Sequence, residues 1–150
     1  MTNILVTGGA GYIGSHCCKA LAAASFVPVT LDDLRRGHRD SPDGTCIRDY
    51  IHVNDLAEAQ VLTLRRLLGG ADSMTLNIGT GQGLSVRQVI AGVEKACERK
   101  VPLREGPRRA GDPAALLADP SRARTVSGFV PSHSTIDTIV QTAWRWHNRA

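Results

Sequence analysis

At 150 residues, with 42% apolar and 21% charged side chains, the chain has the composition of one globular domain with a core, which excludes a disordered polymer. Its net charge of +4 is spread along the sequence, and only 4% of residues are aromatic, so a nucleic-acid groove of interleaved basic and stacking side chains is not expected. The first long apolar stretch, residues 20–31, is interrupted by Ser25 and Pro28 and follows no basic leader, so a cytoplasmic protein without membrane contact is expected.

Residues 3–7 (Asn-Ile-Leu-Val-Thr) read as a short buried strand. A glycine-rich turn over residues 8–14 leads into a helix with Ile13, Cys17 and Leu21 on one face. Residues 27–31 are again β-branched and apolar, which predicts a second strand parallel to the first. Residues 34–45 lack periodicity and form a loop or boundary, dividing the chain into residues 1–39 and 40–150. Asp55, with Glu58 three positions on, predicts the start of a helix that packs Ala57, Val61, Leu64 and Leu68 and stops at Gly69 and Gly70.

Residues 75–78 read as a third strand. Residues 79–83 form a second glycine turn, taken as a plain strand-to-helix connection, with phosphate binding as the alternative. Ser85 and Gln88 have capping-box spacing ahead of Val86, Val89, Ile90, Val93 and Cys97. A short helix is expected after Asp119 and Pro120, stopping near Gly128. Ser134 with Asp137 is the predicted cap of a last helix burying Ile136, Ile139, Val140 and Ala143. Cys17, Cys18, Cys46 and Cys97 have no Cys-x-x-Cys spacing, so they read as thiols of a reducing compartment, and no metal site is expected.

The first glycine turn carries the sharpest chemical signal. Gly8, Gly11 and Gly14 follow a strand and open a helix, where they permit a tight turn, close approach of a pyrophosphate and close helix–strand packing. Amides at the start of the helix then face the anion. Asp32 ends the second strand about twenty residues on, where its carboxylate can accept from both ribose hydroxyls of an adenosine. That selects NAD. Arg35 and Arg36 could meet a 2′-phosphate, but Asp32 would repel it.

The run from Thr7 to His16 and the segment Leu31-Asp32-Asp33-Leu34 resemble the opening of the extended short-chain dehydrogenase/reductases, and within them the UDP-glucose 4-epimerases. Residues 43–53, which contain Arg-Asp-Tyr-Ile-His-Val, Asp55-Leu56-Ala57, residues 76–81, Arg108-Arg109 with Asp112-Pro113, and Trp144-x-Trp146-His147 are similar to segments from the second half of that family, in family order. The resemblance implies an NAD site of Gly8, Gly11, Tyr12, Ile13, Gly14, Asp32, Asp33 and Leu34. It also implies a UDP-hexose site in which Arg48 and Arg109 reach the diphosphate and Asp112 accepts from the uridine ribose.

A departure from the pattern qualifies these implications. The long stretch that separates the two sets of motifs in the family has no counterpart here; the junction lies near residues 39–42. By resemblance that stretch carries the central strands, much of the sugar pocket and the catalytic Ser/Thr and Tyr-x-x-x-Lys. The only tyrosines are Tyr12 and Tyr50, followed four residues later by His16 and Asn54, so no catalytic residue is assigned. Tyr50 reads as a packed strand residue, and His16 and His52 as ordinary polar residues.

The expected fold is α/β. An incomplete Rossmann-like parallel sheet of about three strands carries flanking helices and a small C-terminal α/β remnant. Residues 75–78 then lie beside the first strand, or that strand keeps an open edge that self-associates. Three functions compete: a 4-epimerase, a binding module for NAD or UDP without chemistry, and a deletion product that associates with a full-length epimerase. NAD binding weakened or lost by the missing stretch belongs to the last two.

Overall fold

The structure, a computed structural model, describes residues 2–7, 12–31, 47–103 and 115–148. The chain opens as a βαβ unit: β1 (Asn3–Thr7), α1 (Tyr12–Ala23) and β2 (Val27–Leu31). β1 and β2 pair in parallel from Asn3↔Val27 to Thr7↔Leu31. Pro28 has no N–H to give a ladder, which suits β2 to the edge of the sheet. α1 buries Gly14, Cys17 and Leu21, whereas Ile13, expected on the same face, is 48% exposed in the first turn. The helix ends in a Schellman turn: Phe26 N–H donates to Leu21 O, Ser25 N–H donates to Ala22 O, and Ser25 takes the left-handed conformation at φ 68°.

β3 (Ile47–Arg48) begins the second half and leads into α2 (Val53–Leu68). The cap is three residues earlier than the spacing of Asp55 and Glu58 predicts: His52 is the N-cap, and its ring accepts from Asn54 N–H. Asp55 is instead fully buried inside the first turn, where its carboxylate serves another segment. α2 packs Val53, Ala57, Ala59 and Val61 into the core against α1, while Leu68 in the last turn is exposed. Gly69 caps the C-terminus, as the double glycine predicts.

Residues 75–78 form no strand. They run without regular structure beside α2 and the second sheet, held in part by Arg122, whose guanidinium donates to Thr75 O at 3.3 Å. The expected placement beside β1 does not occur, and among the described residues β1 pairs with β2 alone. A strand needs a ladder partner along its length, and none of the described strands offers one to this segment.

The second sheet is small and mixed. β4 (Leu84–Ser85) pairs antiparallel and β5 (Ala115–Leu116) parallel with β3. Gly79 and Gly83 are needed for it to close: a Cβ on Gly79 would come 2.5 Å from Ala118 Cβ and from Asp49 Oδ2, and one on Gly83 would collide with Ile47 and Leu117.

α3 (Val86–Cys97) has the predicted capping box of Ser85 and Gln88. α4 (Ser121–Ser127) stops at Gly128, which is left-handed at φ 70°. α5 (Ile136–His147) packs on α3, with Gly92 close under Ile136 and Val140. Thr135 is its N-cap, one residue after the predicted Ser134. Phe129, fully buried together with Ala123, anchors the turn after α4.

The class is thus α/β, as the pattern predicts; among the described residues the parallel sheet has two strands and a second, mixed sheet has three. No described helix is long and apolar enough to cross a membrane.

Candidate functional site

The expected dinucleotide site lies where β1, α1 and β2 meet. The register pairs Thr7 with Leu31, so both strands end at the same edge of the sheet, with α1 starting beyond β1. Tyr12 and Ile13 are exposed in the first turn of α1, and Gly14 is buried, as a glycine that lets helix and strand pack closely should be. The remaining residues expected there, Gly8, Gly11, Asp32, Asp33 and Leu34, lie outside the described residues. From Tyr12 a cleft of about 640 Å³ runs between α1, the start of α2 and α5, walled by His16, Lys19, Thr142 and Trp146. The Tyr12 ring meets His16 edge-on at 5.2 Å, and Lys19 Nζ stands 5.5 Å from the centre of the Trp146 ring.

Arg48, expected at the diphosphate, is half-buried on β3, and its Nη1 donates to Ile47 O at 2.8 Å. It lines a cleft of about 570 Å³ with Asn77, Ile78 and Leu116. Arg109 and Asp112 lie outside the described residues, between α3 and β5. Tyr50 follows β3 as a half-buried residue outside any strand, a correction to its expected place.

Asp49 beside Arg48 is the residue that sequence reasoning passed over. Its carboxylate accepts from Thr80 N–H at 2.9 Å, Thr80 Oγ1 at 2.6 Å and Gly81 N–H at 2.9 Å. Burial pushes this carboxyl up, but the bonds from Thr80, Gly81 and Ala118 outweigh it and hold it below the ordinary range. The glycine turn is therefore a clamp on β3. Two of the amides that could have met a phosphate are already bonded to a carboxylate, which speaks against the phosphate alternative, although no described strand leads into the turn and the expected strand-to-helix connection is corrected to that extent.

Asp55, a fully buried carboxylate, organises the first turn of α2. Asp55 accepts from the backbone N–H of Ser132 at 3.1 Å and of His133 at 2.9 Å, from Ser134 Oγ, and from the His133 ring at 2.9 Å. Burial raises its carboxyl, yet the bonds from Ser134, His133 and Ser132 outweigh that and keep it ionised. Ser134, expected to cap α5, is occupied here and also accepts from His52 N–H at 2.8 Å. His52 is buried, not an ordinary exposed polar residue, and its Nε2 lies 2.9 Å from Thr142 Oγ1 on α5. The signal was present in the spacing of His52 and Asp55; assigning Asp55 to the cap concealed it.

Comparison with known proteins supplies the relationship. Residues 4–42 match the NAD dependent epimerase/dehydratase family. A UDP-glucose 4-epimerase of Azospirillum brasilense is 49% identical over 140 residues, covering 93% of this chain and 40% of that protein. The chain is a relative of the UDP-glucose 4-epimerases.

The UDP-glucose 4-epimerase of Stenotrophomonas maltophila, solved with bound NAD and formylated UDP-arabinopyranose, superposes with a TM-score of 0.65 at 37% identity, over 91% of this chain and 39% of that one. The UDP-glucose 4-epimerase of Brucella ovis in complex with NAD superposes with a TM-score of 0.82 over 95% of this chain and 97% of that one. At 21% identity the latter is a likeness of fold alone. The chain spans about 40% of the length of the curated epimerase it matches over most of its own residues.

Proposed function

We infer that this chain is a shortened 4-epimerase relative that keeps parts of the nucleotide-binding surfaces of the parent enzyme and does not carry out epimerisation by itself. The carrying observation is the absence of any Tyr-x-x-x-Lys, with His16 and Asn54 where a lysine would follow Tyr12 and Tyr50. Interconversion of UDP-glucose and UDP-galactose, the reaction of such enzymes in cytoplasmic galactose metabolism, requires a base for the C4 hydroxyl proton. A free tyrosine titrates near pH 10, so a cation must lower it before it can act at neutral pH. Tyr12 has the ring of His16 at its side, and Tyr50 has Asp49 and Ile51 as its chain neighbours. Neither is followed by the lysine that the Tyr-x-x-x-Lys pattern places four residues on.

The geometry at the β1–α1–β2 edge suits NAD. Both strands end on one edge, Gly14 adds no side chain there, and Gly8, Gly11, Asp32, Asp33 and Leu34 follow the strand ends in sequence. NAD, when bound, supplies the hydride acceptor. Arg48, with Arg109 and Asp112, would hold the diphosphate and uridine ribose of a UDP-hexose. Calorimetry with NAD tests the retained half: binding that Asp32→Ala weakens at least tenfold supports it, and no heat with the intact chain removes it.

A second reading, association with itself or with a full-length epimerase, is favoured by one observation. Leu5 is 62% and Val29 45% exposed, and the register sets them side by side on the open face of the β1–β2 sheet. Parallel sheets are ordinarily covered on both faces. Mixing the chain with an intact epimerase supports the reading if the two co-migrate or the rate changes, and leaves it without basis if neither happens.

A further inference from the structure

The contacts around His52 use both ring nitrogens in a way that only the neutral imidazole permits. Nδ1 accepts from Asn54 N–H at 3.1 Å, the bond that caps α2. A nitrogen that accepts carries no proton, so the proton sits on Nε2, which donates to Thr142 Oγ1 at 2.9 Å. Thr142 Oγ1 in turn donates into its own helix, to Thr138 O at 2.8 Å with Ile139 O at 3.0 Å, leaving a lone pair for the imidazole. One ring thereby joins the first turn of α2 to the middle of α5, and its own backbone N–H is held by Ser134 Oγ.

The geometry points to a proton-operated latch: protonation of His52 at Nδ1 turns the acceptor that caps α2 into a second donor and sets two N–H groups facing each other, so the ring leaves its place, its Nε2–H bond to Thr142 goes with it, and α5 separates from the start of α2.

The charged and titratable groups facing the ring decide the direction. Asp55, on α2, favours the imidazolium, but its carboxylate is already taken up by Ser132, His133 and Ser134. His133, with its ring centre 5.8 Å from that of His52, and His16 on α1 both oppose a further positive charge, and Lys19 and His147 line the same cleft. Burial acts first and in the same sense, and the balance holds His52 below the ordinary imidazole range. The closed form therefore excludes a proton that the open form accepts, so the latch weakens as pH falls below the ordinary histidine value of about 6.5.

Both tryptophans of the chain, Trp144 and Trp146, lie on α5, so their emission reports its docking directly. With the whole chain titrated downward from pH 8, tryptophan emission and amide protection of α5 should change in one step at a pH below about 6.5, before the general acid transition of the carboxylates. His52→Asn keeps a cap-competent acceptor and removes the titrating ring, so the step should vanish; His16→Asn and His133→Asn should retain it. If His52→Asn does not fold, ring-nitrogen NMR of the wild-type chain serves in its place, with a neutral Nε2–H tautomer expected whose proton uptake follows the tryptophan change. The same step in His52→Asn, its loss in His133→Asn alone, or a His52 ring that takes up its proton with no change at α5 would overturn the latch.

Discussion

The β1–α1–β2 unit and the Asp55 cluster, which ties α2 to residues 132–134, solve the same problem with unequal success. In the first, backbone groups pair along one side of β1, and Leu5, Val27 and Val29 stay at least a third exposed on the sheet face away from α1. In the second, Asp55 is wholly buried and every donor around it has an acceptor. The dinucleotide motif is the more legible in sequence, yet the unit that carries it is the less supported. Local pattern specifies a βαβ unit, while the neighbours that cover its sheet come from elsewhere in a chain.

Substitutions should separate the two regions, and the largest effect belongs to Asp55. Asp55→Ala leaves Ser134 Oγ and the Ser132 and His133 N–H groups without their acceptor, and should cost about 3 kcal/mol in urea unfolding. A loss below about 1 kcal/mol would mean the cluster is solvated. Next is Gly83→Ala, whose methyl group would enter the space of Ile47 and Leu117, at a cost of about 1–3 kcal/mol with the small sheet losing its order first. Ser25→Gly has the opposite sign: relieving a left-handed serine at the end of α1 should raise stability by about 0.5–1 kcal/mol. Smallest is Leu5→Ala, expected to change monomer stability by less than about 0.5 kcal/mol because the side chain is largely exposed. A large loss there that depends on protein concentration would show that the open face is covered by a second molecule.

The pH dependence sharpens the same contrast. Asp49 and Asp55 both titrate below their ordinary range when folded, so their stabilisation is complete above the unfolded aspartate value of about 3.9 and is lost as pH falls through the folded values. Urea midpoints measured below pH 4 should fall steeply in the wild type and less steeply in Asp55→Asn. The His52 step precedes this loss on acidification, because the folded histidine excludes its proton where the folded aspartates exclude theirs only at lower pH.

Much of the fold could be read from the sequence where local rules decide. The strands of the first unit, the Ser85–Gln88 capping box, the stop at Gly128 and the double-glycine end of α2 all follow from short spacings. The errors arose where distant residues claim a side chain. Asp55 and Ser134 each have cap-like spacing, but they bond to one another across 79 positions, leaving His52 and Thr135 to cap the helices. Residues 75–78 have strand composition, but composition cannot supply a neighbouring ladder. Arg48 is singled out only by the Arg-Asp-Tyr-Ile-His-Val resemblance, whereas the tie of Asp49 to Thr80 and Gly81 depends on contacts more than thirty residues away.

The central claim is that nucleotide-binding parts survive here without a proton-transfer base. Its most direct test is prolonged incubation of the purified chain with NAD and UDP-galactose, with the sugar nucleotides resolved by NMR. The account predicts that no UDP-glucose accumulates above the enzyme-free control, even when calorimetry shows NAD bound. Conversion that rises in proportion to the concentration of this chain would contradict it.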